Sequence, residues 1–235
     1  MSLALDVKDL RAGYGLTVVL DGISLTVPAG GTLAVLGRNG VGKTTLLATL
    51  MGLTTRHQGS IRLGDQAIEG RPTHVRNELG LGYVPQEREI FPSLTVEENM
   101  AVSMRDSGWT IDAVFDLFPG LKARRKNTGN RLSGGEQQML AIARALVGAP
   151  KVLLLDEPLE GLAPVVIEAL VEALERVQKE SRLTMLLVEQ KAELALSLTR
   201  EAVILDRGRI VYRGESAALK ADEATQARLL GVADK

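Results

Sequence analysis

The stretch that most limits how this chain can fold is "TLAVLGRNGVGKTTLLATLMGL", where an apolar run leads through glycines and a lysine into a helical pattern. The glycine-rich part fits G-x-x-x-x-G-K-[ST], the spacing of a loop whose backbone N–H groups converge on phosphate oxygens. The positive end of the following helix also favours an anion. We therefore predict a phosphate loop between a buried strand and a helix. Its residues are Gly37, Arg38, Asn39, Gly40, Val41, Gly42, Lys43, Thr44 and Thr45.

The remaining sequence predicts strands that alternate with helices of crossover length. "LGYVPQ", "KVLLLDE" and "LTMLLVEQ" are typical of buried strands, whereas residues 93–147 are predicted to be largely helical. The early alternating segments favour antiparallel hairpins. The predicted fold class is α/β: a P-loop NTPase core with a mainly parallel sheet, an antiparallel β flank and an inserted α-helical subdomain.

An acidic pair follows the apolar run at residues 152–155. A buried parallel strand delivers its last residues to the edge of the sheet where ligands bind. Asp156 can then join the Thr44 hydroxyl in holding Mg²⁺, and Glu157 can accept a proton from the attacking water. Lys43 supplies positive charge for the β- and γ-phosphates. The sequence therefore predicts a nucleoside triphosphate site with Mg²⁺ and a carboxylate base.

A second anion site is predicted at "RLSGGEQQML", where a hydroxyl and two glycines precede a helical pattern. Together with the phosphate loop and "LLLDEP", this stretch resembles the nucleotide-binding subunits of ABC transporters, and the resemblance covers essentially the whole chain. It implies a single domain, with an ATP-binding core at about 1–86 and 150–235 and a helical subdomain at 87–149.

The resemblance also implies that two ATPase subunits pair head to tail. The signature of one then closes over the ATP bound by the other, so that the second anion site serves a neighbouring chain. We expect an aspartate placed at Gly135 to face the γ-phosphate of that neighbour. The signature residues are Ser133, Gly134, Gly135 and Glu136.

Other family positions can be assigned individually by resemblance. Tyr14 matches the aromatic residue that stacks on adenine, and Gln86 matches the glutamine that reaches Mg²⁺ and the attacking water. Gln190 stands where the family usually has a histidine that contacts the γ-phosphate, and Ala163 stands in place of a usual aspartate. Gln190 can donate a hydrogen bond but cannot titrate, so the mechanism would depend on Glu157 as the base.

The composition restricts the possible partners. A formal net charge of −1 gives no electrostatic basis for binding nucleic acid. No apolar run approaches the roughly 20 residues of a membrane helix. We therefore expect a soluble chain that reaches the cytoplasmic face of a membrane through transmembrane permease subunits. A solute-binding protein would act on the far side.

The transported substrate is open to two interpretations. "EGLAP" and "VEQ" favour the branch that takes up branched-chain and other hydrophobic amino acids, whereas "VPQEREIFPSLTVEEN" also resembles the urea and short-amide branch. A non-transport ATPase of the same superfamily and a metabolic P-loop kinase are less favoured. The first usually has coiled coils, tandem units or basic arms, and the second has no use for "LSGGEQQ". We predict an ATPase subunit for amino-acid import.

Overall fold

The computed structural model describes residues 2–105 and 109–231 and has a mixed α/β fold. The strands are β1 (Leu5–Tyr14), β2 (Thr17–Val27), β3 (Thr32–Leu36), β4 (Thr55–Leu63), β5 (Gln66–Ala67), β6 (Leu81–Val84), β7 (Val152–Asp156), β8 (Thr184–Glu189), β9 (Glu201–Asp206) and β10 (Arg209–Glu215). The helices are α1 (Lys43–Met51), α2 (Thr73–Glu78), α3 (Val96–Ala101), α4 (Ile111–Leu117), α5 (Pro119–Ala123), α6 (Gly134–Val147), α7 (Pro164–Ser181), α8 (Ala192–Leu198), α9 (Ser216–Ala221) and α10 (Glu223–Leu230).

The larger sheet has the strand order β10-β9-β3-β8-β7-β6, in which only the edge strand β10 runs antiparallel among the described strands. The mainly parallel sheet is therefore confirmed. β8 lies between β3 and β7, so the strand that leads into the phosphate loop and the strand that ends in the acidic pair are separated by one strand. The ends of these three strands meet at a single edge, which is where open α/β sheets bind ligands.

A second, antiparallel sheet has the order β2-β1-β4-β5 and forms the predicted flank. Its contact with the larger sheet lies close to the phosphate loop. A Cβ atom on Gly42 would lie 3.0 Å from Cδ2 of Leu20 and 3.3 Å from Cγ1 of Val19, both on β2. The flank therefore supports the loop from one side.

Side chains alternate along the strands, so the larger sheet contributes to a hydrophobic cluster on each face. On β3, Leu33 and Val35 pack with α1 and the antiparallel flank, whereas Ala34 and Leu36 pack with the later helices. The parallel strands are buried on both faces, which explains why they consist of continuous apolar runs.

Helices α3 to α6 lie between β6 and β7 in the chain, as the sequence predicts. α6 packs against α3, α4, α5 and β6, and the hydrophobic cluster continues from these helices onto the sheet. The division into a core and a subdomain at 87–149 stays a prediction. Residues 1, 106–108 and 232–235 of the domain predicted for 1–235 lie outside the described residues. No helix in the described part is long and apolar enough to cross a membrane.

Candidate functional site

The phosphate loop joins β3 to α1 and leaves the start of α1 without a side-chain cap. The N-cap residue is Gly42, whose φ of 109° is a conformation that favours glycine, and no side chain accepts a hydrogen bond there. Gly37 needs a glycine because a Cβ atom would lie 2.5 Å from the carbonyl oxygen of Leu205. The first N–H groups of α1 thus remain for an anion. In the rest of the loop, Arg38, Asn39 and Gly40 are exposed, whereas Val41 and Thr45 are buried.

Lys43 joins this loop to the end of β7. Its side chain is only 4% exposed, and its Nζ donates to the carbonyl oxygens of Gly37 (2.9 Å) and Arg38 (3.1 Å). Nζ also lies 3.1 Å from Oε1 of Glu157. The ammonium group is therefore positioned between the phosphate loop and the predicted base.

Asp156 and Thr44, two of the predicted Mg²⁺ ligands, lie together. The hydroxyl of Thr44 donates to Oδ1 of Asp156 at 3.2 Å, and the hydroxyl of Tyr83 donates to Oδ2 at 3.3 Å. Burial raises the pKa of Asp156 to about 6, and the neighbouring charge of Glu157 contributes in the same direction. Asp156 is thus mainly ionised at neutral pH, and it already contacts Thr44, which is predicted to bind the same Mg²⁺.

Glu157, the predicted base, is buried and has a left-handed φ of 46°. Its backbone N–H donates to the carbonyl oxygen of Val188 at 2.9 Å, which holds it against β8. Its Oε2 accepts a hydrogen bond from Nε2 of Gln190 at 2.7 Å. Gln190 thus contacts the predicted base and also lines a cleft of about 350 Å³ together with Gly37 and Arg38 of the phosphate loop.

Gln86, the third predicted Mg²⁺ ligand, is held elsewhere. Its Nε2 donates to Oε2 of Glu160 at 2.5 Å, and both side chains are exposed. Among the hydrogen bonds of the described residues, none joins Gln86 to Thr44 or Asp156. The structure therefore brings together two of the three predicted ligands, whereas the third, just after β6, is bonded to the turn that follows Glu157.

Tyr14 lies at the end of β1, where its side chain is 53% exposed. Its strand pairs with β2, the strand that packs on the phosphate loop through Val19 and Leu20. The predicted stacking residue therefore belongs to the hairpin that borders the loop, and its role with adenine stays a prediction.

The signature begins a helix of its own, as the sequence predicts. Ser133 is the N-cap of α6, and its hydroxyl oxygen accepts the N–H of Glu136 at 3.3 Å. In return, Oε2 of Glu136 accepts the N–H of Ser133 at 2.8 Å, and its Oε1 lies 3.4 Å from Nε of Arg124. Glu136 thus stabilises its own helix, while Ser133 and Gly134 are exposed at the surface.

One expectation about the signature is wrong. Gly135 is buried, and a Cβ atom there would lie 2.8 and 3.0 Å from the two γ-carbons of Val166 on α7. A side chain at this position therefore points into α7 of the same chain. An aspartate at Gly135 would first disturb that packing and would not simply face a neighbouring phosphate.

Three site residues were not identified from the sequence: Tyr83, Glu160 and Glu189. Glu189 is 2% exposed at the end of β8, and burial raises its pKa to about 7, with the charge of Glu157 adding to the effect. The available signal was an acidic residue that directly ends the apolar run "TMLLV". Its meaning depends on the position of β8 between β3 and β7, which only the sheet order reveals.

Comparison with known proteins agrees with this geometry. A family model described as ABC transporter matches residues 20–160, which include the phosphate loop, the signature and the acidic pair. The chain is 41% identical to the high-affinity branched-chain amino acid transport ATP-binding protein BraG of Pseudomonas aeruginosa, covering 93% of this chain and 95% of BraG. It is 38% identical to the probable branched-chain amino acid transport ATP-binding protein LivF of Archaeoglobus fulgidus, covering 96% and 98% of the two chains.

A more distant relative acts in lipopolysaccharide export. The lipopolysaccharide export system ATP-binding protein LptB of Escherichia coli (strain K12) is 32% identical, with 97% of each chain covered. Among solved structures, the ADP conformation of MJ1267, an ATP-binding cassette of an ABC transporter, superposes with a TM-score of 0.82 at 20% identity over 100% of both chains. The chain therefore belongs to the ABC transporter family and is one of its ATP-hydrolysing, nucleotide-binding subunits.

Proposed function

We propose that this chain hydrolyses ATP to drive the import of branched-chain or other hydrophobic amino acids, on the cytoplasmic face of a membrane and through transmembrane permease subunits. The observation that carries the chemistry is the convergence of Lys43, Thr44, Asp156, Glu157 and Gln190 at one edge of the sheet. The amino-acid substrate rests on the similarity to BraG and LivF over nearly the full length of the chain.

In this proposal, the N–H groups of the phosphate loop and α1 hold the phosphates of ATP, with Lys43 at the β- and γ-phosphates. The hydroxyl of Thr44 and the carboxylate of Asp156 supply hard oxygen donors, which fit Mg²⁺. When bound, Mg²⁺ neutralises charge on the transferred phosphoryl group. Gln86 would complete the ligands after exchanging its bond to Glu160.

Glu157 is the proposed general base, and its ion pair with Lys43 suggests how it becomes available. The ammonium group of Lys43 contacts Glu157 and two loop carbonyls in the structure. If it turns toward the phosphates of ATP, Glu157 loses its cation and its carboxylate can accept a proton from water. Gln190 would then contact the γ-phosphate or continue to hold Glu157.

We further propose that the N terminus of α6 serves the ATP of a second ATPase subunit in a head-to-tail dimer. Ser133 and Gly134 are exposed there, and no hydrogen bond within residues 2–105 and 109–231 connects them to the phosphate loop. A solute-binding protein would deliver the amino acid to the permease. The formal net charge of −1 offers no support for a nucleic-acid partner.

Uptake in the native host tests this proposal. Deletion of the chain should abolish uptake of radiolabelled leucine, isoleucine and valine, and expression of the parent chain should restore it. Glu157→Gln should not restore it, because the loss of a positioned base lowers hydrolysis by about 10²–10⁴-fold. Glu172→Gln, which makes the same change at an exposed position on α7, is the matched control and should restore uptake.

Two outcomes would contradict the proposal. Loss of urea or short-amide uptake with normal leucine uptake would assign the chain to the other importer branch. Full restoration of uptake by Glu157→Gln, at an expression level equal to that of the parent, would show that hydrolysis does not depend on this carboxylate.

A further inference from the structure

Glu189 places a buried carboxylate between the two loops that carry the proposed chemistry. Its strand pairs with β3 on one side and with β7 on the other. The side chain is 2% exposed, and among the ion pairs of the described residues none includes it. A carboxylate is costly to bury unless hydrogen bonds compensate, so the groups that donate to it are informative.

Both carboxylate oxygens of Glu189 accept backbone N–H groups, one from the turn after β7 and one from the residue that follows Glu189. Oε1 accepts the N–H of Leu159 at 3.0 Å, and Oε2 accepts the N–H of Gln190 at 3.3 Å. Leu159 follows Glu157 after Pro158, whose ring restricts the chain between them. The side chain of Gln190 returns to Oε2 of Glu157 at 2.7 Å. These hydrogen bonds and the chain at residues 157–159 therefore form a closed ring that passes through the carboxylate of Glu157.

The backbone of Glu157 needs such support. Its φ of 46° is unfavourable for a residue with a side chain. The N–H of Glu157 is held by Val188, and the N–H of Glu160 closes a turn on the carbonyl oxygen of Glu157 at 3.2 Å. Glu189 supplies the hydrogen bond to Leu159, the residue between these two anchors. Without it, the turn that aims Glu157 would be held only at its ends.

We propose that Glu189 is a positioning residue for ATP hydrolysis, an inference that rests on the proposed function. Its carboxylate fixes the turn at residues 157–160 and the backbone of Gln190 in one arrangement, so that the Glu157 carboxylate is held in place for the attacking water.

The ionised form of Glu189 is the one that suits this role. A carboxylate accepts two N–H groups, one on each oxygen, whereas a glutamine or a protonated carboxyl presents a donor to one of them. Burial and the charge of Glu157 raise the pKa of Glu189, and the N–H groups of Leu159 and Gln190, together with the charge of Lys191, oppose that rise. Burial outweighs these donors, so that the pKa is raised to about 7, while the two N–H groups are the contacts that favour the ionised form.

The test compares Glu189→Gln with Glu189→Leu in the assembled ATPase. We expect kcat to fall about 10-fold in the first and about 100-fold in the second, because one and then both charge-assisted hydrogen bonds are lost. KM and the dissociation constant for ATP should stay within about twofold, since the phosphate loop is untouched. Thermal denaturation establishes that both variants are folded.

A control and a double-mutant cycle separate positioning from general stability. Val203→Ala removes two methyl groups from a buried side chain of β9. The cavity that it leaves should lower the unfolding free energy with kcat unchanged. In a Glu157→Gln background, adding Glu189→Gln should change the residual single-turnover rate by less than about twofold, because the residue acts through Glu157.

The inference is overturned if Glu189→Gln turns over at the parent rate, if its loss adds in full to that of Glu157→Gln, or if Val203→Ala loses as much kcat. Absence of hydrolysis in the parent protein would instead reject the proposed function itself.

Discussion

Glu189→Gln should also change how stability depends on pH, in a direction fixed by the burial of the carboxyl. The pKa of Glu189 is about 7 in the folded chain and 4.5 in its ordinary state. The folded protein therefore holds this proton more tightly than the unfolded chain does. It follows that the contribution of Glu189 favours folding below pH 4.5 and is lost as the pH rises through 7.

Integrated between pH 5 and pH 8, this difference in proton binding amounts to about 2–3 kcal/mol of unfolding free energy. Glutamine does not titrate, so the variant lacks this decline, while other buried groups such as Asp156 affect both proteins equally. Any pH-independent effect of the glutamine amide on the unfolding free energy cancels when the two pH values are compared. The variant should therefore gain about 2–3 kcal/mol of unfolding free energy relative to the parent between pH 5 and pH 8.

Urea denaturation at pH 5, 6, 7 and 8, without nucleotide or Mg²⁺, measures this directly. Ligands are left out because binding to the folded state would add its own stabilisation. Parallel curves for the parent and Glu189→Gln would refute the reasoning, since they would mean that the carboxyl titrates alike in the folded and unfolded states. A variant that loses stability relative to the parent as the pH rises from 5 to 8 would give the wrong sign and would refute it equally.

Two further predictions follow from the contacts of the site. Lys43→Ala should abolish hydrolysis, and it should lower the unfolding free energy by about 3 kcal/mol because Glu157 stays buried without its cation. If two copies of the chain pair head to tail, mixing the Lys43→Ala chain with a Ser133→Ala chain should restore part of the ATPase activity. No recovery would count against self-pairing. Gly135→Ala should cost about 1–3 kcal/mol in urea denaturation through its clash with Val166, and Val166→Ala in the same chain should recover most of that loss.

The elements of the site could be predicted from the sequence because each of them is local. The phosphate loop, the acidic pair and the capped start of α6 are each defined by a few consecutive residues, and their backbone geometry follows from glycine, proline and hydroxyl chemistry. The parallel sheet followed from continuous apolar runs separated by helices, as at β7 and β8. Each of these predictions depends on neighbours in the sequence and not on contacts across the fold.

The missing parts of the site depend on contacts between distant residues. The roles of Glu189 and Tyr83 follow from the neighbours of β8 and β6 in the sheet, and a strand sequence does not specify its neighbours. The bond between Gln86 and Glu160 spans 74 residues. The direction of a side chain at Gly135 depends on where α7 packs. Local patterns therefore predict which groups are present, whereas the packing determines which of them meet.

The two helix starts that we propose as anion sites differ in how much of their capping is already satisfied within the chain. The start of α1 has no side-chain cap, so its first N–H groups remain for a ligand. At α6, the hydroxyl of Ser133 and the carboxylate of Glu136 already satisfy each other's N–H groups, which leaves the N–H groups of Gly134 and Gly135 for a ligand. The burial of Gly135 against Val166 makes the position of this N–H depend on α7, which begins just after the turn that Glu189 holds. The start of α6, through Val166, and the turn that carries Glu157, through Leu159, are therefore both held by one segment of this chain, residues 157–166.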